Sequence, residues 1–142
     1  MDEGIFIADQ NQLSGRYAYF DDDGVSGWLY MTNPNEKKLS YHCWIYNRIN
    51  PPDPSEIIKY KYGPPPASSN VVNENPVIIA PEKRSFEFQW SEDGHAVALL
   101  IDGTPLGFII AGRHTGWCRN LAKSCLWGEV FDETLYRNMF KS

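Results

Sequence analysis

The residues best equipped for chemistry are His114, Cys118 and Arg119, in the run His114-Thr115-Gly116-Trp117-Cys118-Arg119. A guanidinium beside a thiol favours the thiolate, and an imidazole nearby can act as its base. This set would suit a small enzyme or ligand-binding domain with Cys118 as nucleophile. Against it, free cysteine is among the most buried residue types, and Cys118 also belongs to an apolar stripe described below. No G-x-S-x-G, H-E-x-x-H or Gly-rich phosphate loop accompanies it. The sequence therefore assigns no catalytic residue.

Metal chemistry has equally little to stand on. His42, Cys43, His95, His114, Cys118 and Cys125 are the soft donors, and no tight Cys pair of the C-x2-C kind occurs among them. Gly116 interrupts a helical pairing of His114 with Cys118. Asp21-Asp22-Asp23-Gly24 invites a calcium reading, but no glutamate closes a twelve-residue loop. A hairpin turn wants Asp and Gly in any case. No metal or cofactor is expected.

The aromatic residues point elsewhere. Tyr17, Tyr19, Trp28, Tyr30, Trp44, Tyr46, Tyr60 and Tyr62 are more Tyr and Trp than a core alone favours, because each buried hydroxyl or indole needs a partner. Such residues are enriched in binding surfaces. An aromatic, partly wet sheet face is the expected working surface.

The elements that must position these residues are mostly strands. Phe86, Phe88 and Trp90 alternate with Glu87 and Gln89, and Ser91-Glu92-Asp93-Gly94 is turn chemistry. His95 to Ile101 is an apolar central strand, and Asp102-Gly103 predicts a two-residue hairpin loop. That loop pairs Ile101 with Thr104, Leu99 with Leu106 and Val97 with Phe108. The large side chains then share one face, and Ala96, Ala98 and Gly107 leave the other open to a helix. Asp23-Gly24 predicts a second such loop, pairing Phe20 with Gly27, Tyr19 with Trp28 and Tyr17 with Tyr30. Ile5 to Ala8, Tyr41 to Ile49 and Glu56 to Tyr62 read as further strands, the last with Lys59 and Lys61 towards solvent. Residues 63–76, rich in Pro, Asn and Ser, read as a mobile loop.

The tail changes character. Cys118, Leu121, Ala122, Cys125 and Leu126 recur at helical spacing. Asp132 is a good N-cap, Phe131 and Tyr136 can staple the first turn, and Leu135, Tyr136, Met139 and Phe140 share a face. Arg137 and Lys141 sit near the C-terminal end, where the helix dipole favours them. The expected fold is mainly β: one domain over residues 1–142, a curled antiparallel meander or sandwich of seven to eight strands with one or two short C-terminal helices.

Composition narrows the function classes. The chain has 142 residues, a net charge of −5 and 14% aromatics. That argues against disorder and against a phosphate-binding nucleic-acid protein. No stretch approaches the about 20 apolar residues of a membrane span. The opening MDEGIFIADQ has no basic segment before an apolar run, and the three cysteines are irregularly spaced. A reducing cytoplasm is the expected compartment.

The segments Tyr19 to Tyr30 (YFDDDGVSGWLY), Trp90 to Gly94 (WSEDG), Ala98 to Gly103 (ALLIDG) and Gly116 to Arg119 (GWCR) resemble a family of small bacterial proteins described as a domain of unknown function. The resemblance covers about two-thirds of the chain and implies a bacterial cytoplasmic origin without an assigned activity. By type rather than motif, a small acidic β-rich protein of this kind also resembles immunity proteins, which block toxins delivered by a neighbouring cell. The leading expectation is a protein-binding module of that sort. Asp21, Asp22, Asp23, Trp28, Tyr30, Glu92 and Asp93 are its expected contact residues, and a cognate toxin or effector its expected partner. A structural subunit of a homo-oligomer is a third possibility.

Overall fold

The computed structural model describes residues 4–60 and 63–140. The chain is mainly β, as the alternation predicts. Strands β1 (Ile5–Gln10), β2 (Tyr17–Asp22), β3 (Ser26–Thr32) and β4 (Leu39–Asn47) form one antiparallel sheet in that order. Strands β5 (Phe86–Trp90), β6 (Ala96–Ile101), β7 (Thr104–Ile110), β8 (Trp117–Cys118) and β9 (Glu129–Val130) form the second, with only β8 and β9 parallel. The described strands number nine rather than seven or eight because β8 and β9 are two-residue pieces.

The sheets face each other across the core. Phe20, Leu29, Met31, Cys43 and Ile45 from the first meet Val97, Leu99, Ile101 and Ile109 from the second, all of them buried. The Phe20 and Phe86 rings stack at 5.4 Å between the sheets. Along one side the sheets are joined by backbone. His42 N–H donates to the His114 carbonyl (3.1 Å), Gly116 N–H to the His42 carbonyl (2.9 Å) and Trp44 N–H to the Trp127 carbonyl (3.1 Å).

The outer face of the second sheet is covered by helix α1 (Glu133–Met139), which lies against Ala96, Ala98 and Phe108. Small residues permit that approach. The Asp132 carboxylate caps the helix by accepting from Leu135 N–H at 2.9 Å, and Phe131 meets Tyr136 at 5.7 Å between ring centroids. Both features follow the sequence reading. Lys141 lies outside the described residues.

Both hairpin registers depart from expectation. In β2–β3 the closing pair is Asp23 with Ser26, so Gly24-Val25 is the loop, and Tyr19 faces Tyr30 rather than Trp28. The turn is moved by its own carboxylates. Asp22 Oδ1 accepts from Gly24 N–H (2.8 Å), and Asp23 Oδ1 accepts from Val25 (2.9 Å) and Ser26 (3.1 Å) N–H. In β6–β7 the pairing starts as expected at Ile101–Thr104, then a bulge inserts Leu106. Leu99 faces Gly107 and Val97 faces Ile109, so Phe108 moves to the alanine face and Gly107 to the core face. There a Cβ on Gly107 would come within 2.6 Å of Ile45 Cδ1, and Phe108 stacks on Trp117 at 5.0 Å.

Two expected elements are replaced. Pro54–Tyr60 is a 3-10 helix instead of a strand, with Asp53 Oδ1 accepting from Ser55 N–H (3.0 Å) at its start. Lys61 and Tyr62 lie outside the described residues. The stripe Cys118 to Leu126 is not a helix: Cys118 is in β8, the rest is turns, and Ala122 and Leu126 are exposed. Residues 63–76, expected to be mobile, are pinned at their middle. Ala67, Ser68 and Val71 are buried, and the Asn47 side chain bonds both the N–H and the carbonyl of Ala67 (2.9 and 3.0 Å). No helix among the described residues is long and apolar enough to cross a membrane.

Candidate functional site

Strand alternation sends Phe20, Leu29 and Cys43 inward and leaves Tyr17, Tyr19, Trp28, Tyr30 and His42 on the opposite face of the first sheet. Trp28 and Tyr30 lie nearly parallel, 6.4 Å apart at 14°, and the His42 ring tilts against Trp28 at 5.8 Å. The 3-10 helix, the Pro64-Pro65 segment and the turn at Leu126-Trp127 rise around this patch and make it concave.

Three neighbouring hollows result, adjoining one another through shared wall residues. One of about 280 Å³ is lined by Trp28, Tyr30, Tyr41, His42, Pro64 and Pro65. A second of about 230 Å³ shares Trp28 and Pro65 with it and adds Ile57, Leu126 and Trp127. A third of about 250 Å³ shares Pro64 and adds Asp23, Val25, Lys59, Tyr60 and Gly63. This row of hollows, the groove, is almost wholly apolar at the tryptophan end and mixed in character at the Asp23 end. Leu126 at its rim is 85% exposed and Ile58, on the adjoining 3-10 helix, is 76% exposed.

The groove walls are held by hydrogen bonds that leave their polar atoms occupied. Trp28 Nε1–H donates to Ser26 Oγ (3.1 Å), whose hydroxyl donates to the Pro64 carbonyl (3.3 Å). Trp127 Nε1–H donates to the Pro65 carbonyl (3.2 Å). Just behind them Trp44 Nε1–H and Ala67 N–H both donate to Asn47 Oδ1 (3.0 and 2.9 Å), which fixes the proline segment to β4. A surface tied down before binding loses little conformational entropy when it is covered.

Electrostatics separate the two ends. Burial, with help from the charges of Asp21 and Asp23, pushes the Tyr30 phenol up to about 12, so it is a neutral donor at ordinary pH. Burial and the neighbouring His114 hold His42 below the usual imidazole range. Burial, then Asp23 and Asp22, raise the Asp21 carboxyl. Lys59 is already engaged by Glu56 at 2.8 Å.

The expected contact residues are thus only partly brought together. Asp21, Asp23, Trp28 and Tyr30 belong to the groove or its acidic end. Asp22 does not: it is buried and paired with Arg48 and Tyr46. Trp28 is only 6% exposed and serves as floor rather than as a projecting anchor. Glu92 and Asp93 lie at the far end of β1, beside the Asn11–Ser14 turn, about 17 Å away along a six-residue strand. They line a separate hollow of about 510 Å³ with Leu13 and Met139, and Asp93 is spent on Ser91 and His95 N–H. Sequence reading missed Pro64, Pro65, Leu126 and Trp127. The Leu126-Trp127 pair before Gly128 was the available signal, hidden by the apparent helical stripe.

The residues of the enzyme alternative are dispersed. His114 is exposed, and Cys118 is fully buried with its thiol donating to the Ile45 carbonyl at 3.4 Å. Arg119 turns away to the Pro105 carbonyl (2.9 Å) and the face of Phe131 (3.8 Å). Burial pushes the Cys118 thiol up to about 12 despite Arg119. Iodoacetamide at neutral pH is expected to label Cys125, which is half-buried, well before Cys118 or Cys43. Mass-spectrometric mapping after brief labelling checks this, and prompt modification of Cys118 in the folded chain would refute it. Among the described residues no three His, Cys, Asp or Glu side chains form a metal-sized cluster.

Against protein-family models, curated proteins and solved structures alike, the chain has no match. The functional reading therefore stands on the geometry of the groove.

Proposed function

We propose that the chain is a protein-binding module whose contact surface is the groove between Trp28, Pro65 and Trp127. The observation that carries this is an apolar, pre-fixed hollow walled by Trp28, Ile57, Pro65 and Trp127 with the exposed side chain of Leu126 at its rim. Apolar surface of this kind, rimmed by charge, is characteristic of sites that a partner covers. The most concrete form of the reading is an immunity protein of bacterial type that occludes the working site of a secreted toxin. The acidic character of the chain suits a basic partner.

The test begins with the partner co-purified from the source cell and proceeds to two variants. Leu126→Asp changes a side chain that the fold does not bury, and Trp127→Ala opens the apolar end of the groove. Each is expected to weaken partner binding by at least about tenfold, the effect of losing one central apolar contact. The melting temperature of Leu126→Asp should stay at the parent value. Titration calorimetry with undiminished affinity for Leu126→Asp and Trp127→Ala alike would remove the groove from the interface.

A further inference from the structure

We infer that Arg16 and His95 form an acid-released latch between the two sheets: the neutral imidazole holds the Arg16 guanidinium, and the imidazolium lets it go. The latch lies at the far end of β1 from Asp21 and Asp23 and does not depend on the groove.

It is built on one long side chain. Arg16, just before β2, is only 8% exposed. Its Nη1–H donates to the Thr32 carbonyl at the end of β3 (3.0 Å), and its guanidinium lies 5.9 Å from the centre of the Tyr41 ring on β4. Both contacts belong to the first sheet. Its Nε–H crosses to the second and donates to His95 Nδ1, just before β6, at 2.9 Å. Beside this bond the Asn11–Ser14 turn lies directly against Gly94.

The direction of the bond fixes the proton. A guanidinium only donates, so Nδ1 must offer a lone pair and the ring proton sits on Nε2. A proton added at Nδ1 removes the acceptor and sets two cations against each other. The exposed ring is free to leave, because the His95 backbone is held separately. Its N–H donates to Asp93 Oδ1 (3.0 Å), and its carbonyl accepts from Ala111 N–H (2.9 Å). A second partner lies in the same turn: Asp93 Oδ1 takes that N–H and the Ser91 hydroxyl, which leaves Oδ2 for an imidazolium. Of the neighbouring charges, Asp9 on β1 accepts from Trp90 Nε1–H (2.9 Å), Arg113 past the end of β7 lies over the Trp117 ring (5.1 Å), and Glu92 is exposed. His95 therefore has one partner for each protonation state and exchanges them between about pH 5 and 8. Above that range the latch is closed. As the pH falls through it, the buried Arg16 Nε–H needs water as its acceptor, and water reaches it only if the Asn11–Ser14 turn lifts.

Amide hydrogen exchange of the whole chain at about pH 7.5 and about pH 5, corrected for the intrinsic rate at each, reads that turn. Asn11 and Gly15 N–H donate to the Arg16 and Asn11 carbonyls (2.9 and 2.8 Å), and Tyr17 N–H to the Thr32 hydroxyl (3.0 Å). In the parent their protection is expected to fall at least about fivefold on acidification. His95→Asn, whose Oδ1 offers a non-titrating acceptor near the place of Nδ1, should stay protected at both pH values. His95→Ala should be weakly protected at both. Nitrogen-15 shifts of the imidazole should place its proton on Nε2 at the higher pH. The inference is overturned by a proton on Nδ1 there, by equal protection of the parent at both pH values, by a fall in His95→Asn as large as the parent's, or by His95→Ala matching the parent at the higher pH. Partner binding is read separately, by Leu126→Asp and Trp127→Ala.

Discussion

Asp22→Ala is expected to cost about 3 to 5 kcal/mol of folding stability, the usual effect of breaking a buried ion pair from one side. The side chains of Asp22 and Arg48 are 0% and 4% exposed and meet at 2.9 Å. The same Asp22 oxygen accepts from the Tyr46 hydroxyl, and the other accepts from Gly24 N–H at 2.8 Å. Removing the carboxylate takes the negative charge away from a buried guanidinium, strips a buried phenol of its acceptor and loosens the hairpin turn together. A domain of this size has about 5 to 15 kcal/mol in total, so the variant stands at the margin of folding. Asp22→Asn, which keeps an acceptor oxygen at only one of the two places and removes the charge, should lose somewhat less because it still fills the space and satisfies one set of donors. Urea unfolding followed by tryptophan fluorescence reads both. A loss below about 1 kcal/mol for the alanine variant would show that the pair contributes nothing net. The residue is one of three consecutive aspartates, and its neighbours are the two that face the groove.

The second large effect is alkaline. Burial raises the thiols of Cys43 and Cys118, Cys118 to about 12 from an ordinary 9.0. Burial, together with the Asp22 hydrogen bond and charge, also raises the Tyr46 phenol, with Arg48 offsetting part of it. All three groups are neutral in the folded chain. Below about pH 9 folded and unfolded chains both keep these thiol protons, and the full stability is present. As pH rises further, the unfolded chain releases them while the folded chain cannot, so stability falls until the folded thiol itself titrates. For Cys118 alone the loss by pH 12 is on the order of 4 kcal/mol. Urea midpoints should therefore decline steadily above about pH 9, and Cys118→Ala, weaker at neutral pH because of the space it leaves, should decline with a shallower slope. A flat profile to about pH 11 would contradict the burial of both thiols.

The difference between what the sequence reveals and what it hides comes down to parity. In the β2–β3 hairpin the turn moved by one residue, which shifts each cross-strand partner by two and leaves every side chain on its predicted face. Tyr17, Tyr19, Trp28 and Tyr30 thus share a face although none has its predicted neighbour. In β6–β7 a single inserted residue, Leu106, changes the count by one, and Phe108 crosses to the other side of the sheet. Local turn chemistry gives no warning of that bulge. Its causes are distant: Arg119 N–H takes the Leu106 carbonyl at 2.7 Å, and Ile45 fills the space against Gly107.

The groove was half legible for a similar reason. Its sheet floor follows from alternation within one hairpin. Its walls come from Pro64-Pro65 and Leu126-Trp127, which lack any period and are placed by Asn47 and by β4. The false helix at Cys118 to Leu126 shows how spacing alone misleads. Five positions matched a helical stripe, yet Leu126 is 85% exposed and Cys118 fully buried. The strand expected from Glu56, whose described part up to Tyr60 is 3-10 helix, had a legible counter-signal in Asp53-Pro54, a cap followed by the proline that favours a first helical turn.

The backbone seam between the sheets also has a consequence for the order of events during synthesis. His42 and Trp44 are polymerised well before His114, Gly116 and Trp127, the residues that pair with them. Until those arrive, the first four strands wait beside the ribosome with a bare flank and an uncovered apolar face of Phe20, Leu29 and Ile45. Non-local pairing of this kind makes folding slow, and exposed strand edges are where chains associate wrongly. The flank of the first sheet is thus closed only with the emergence of residues 114–128, whatever the speed at which its early hairpins form.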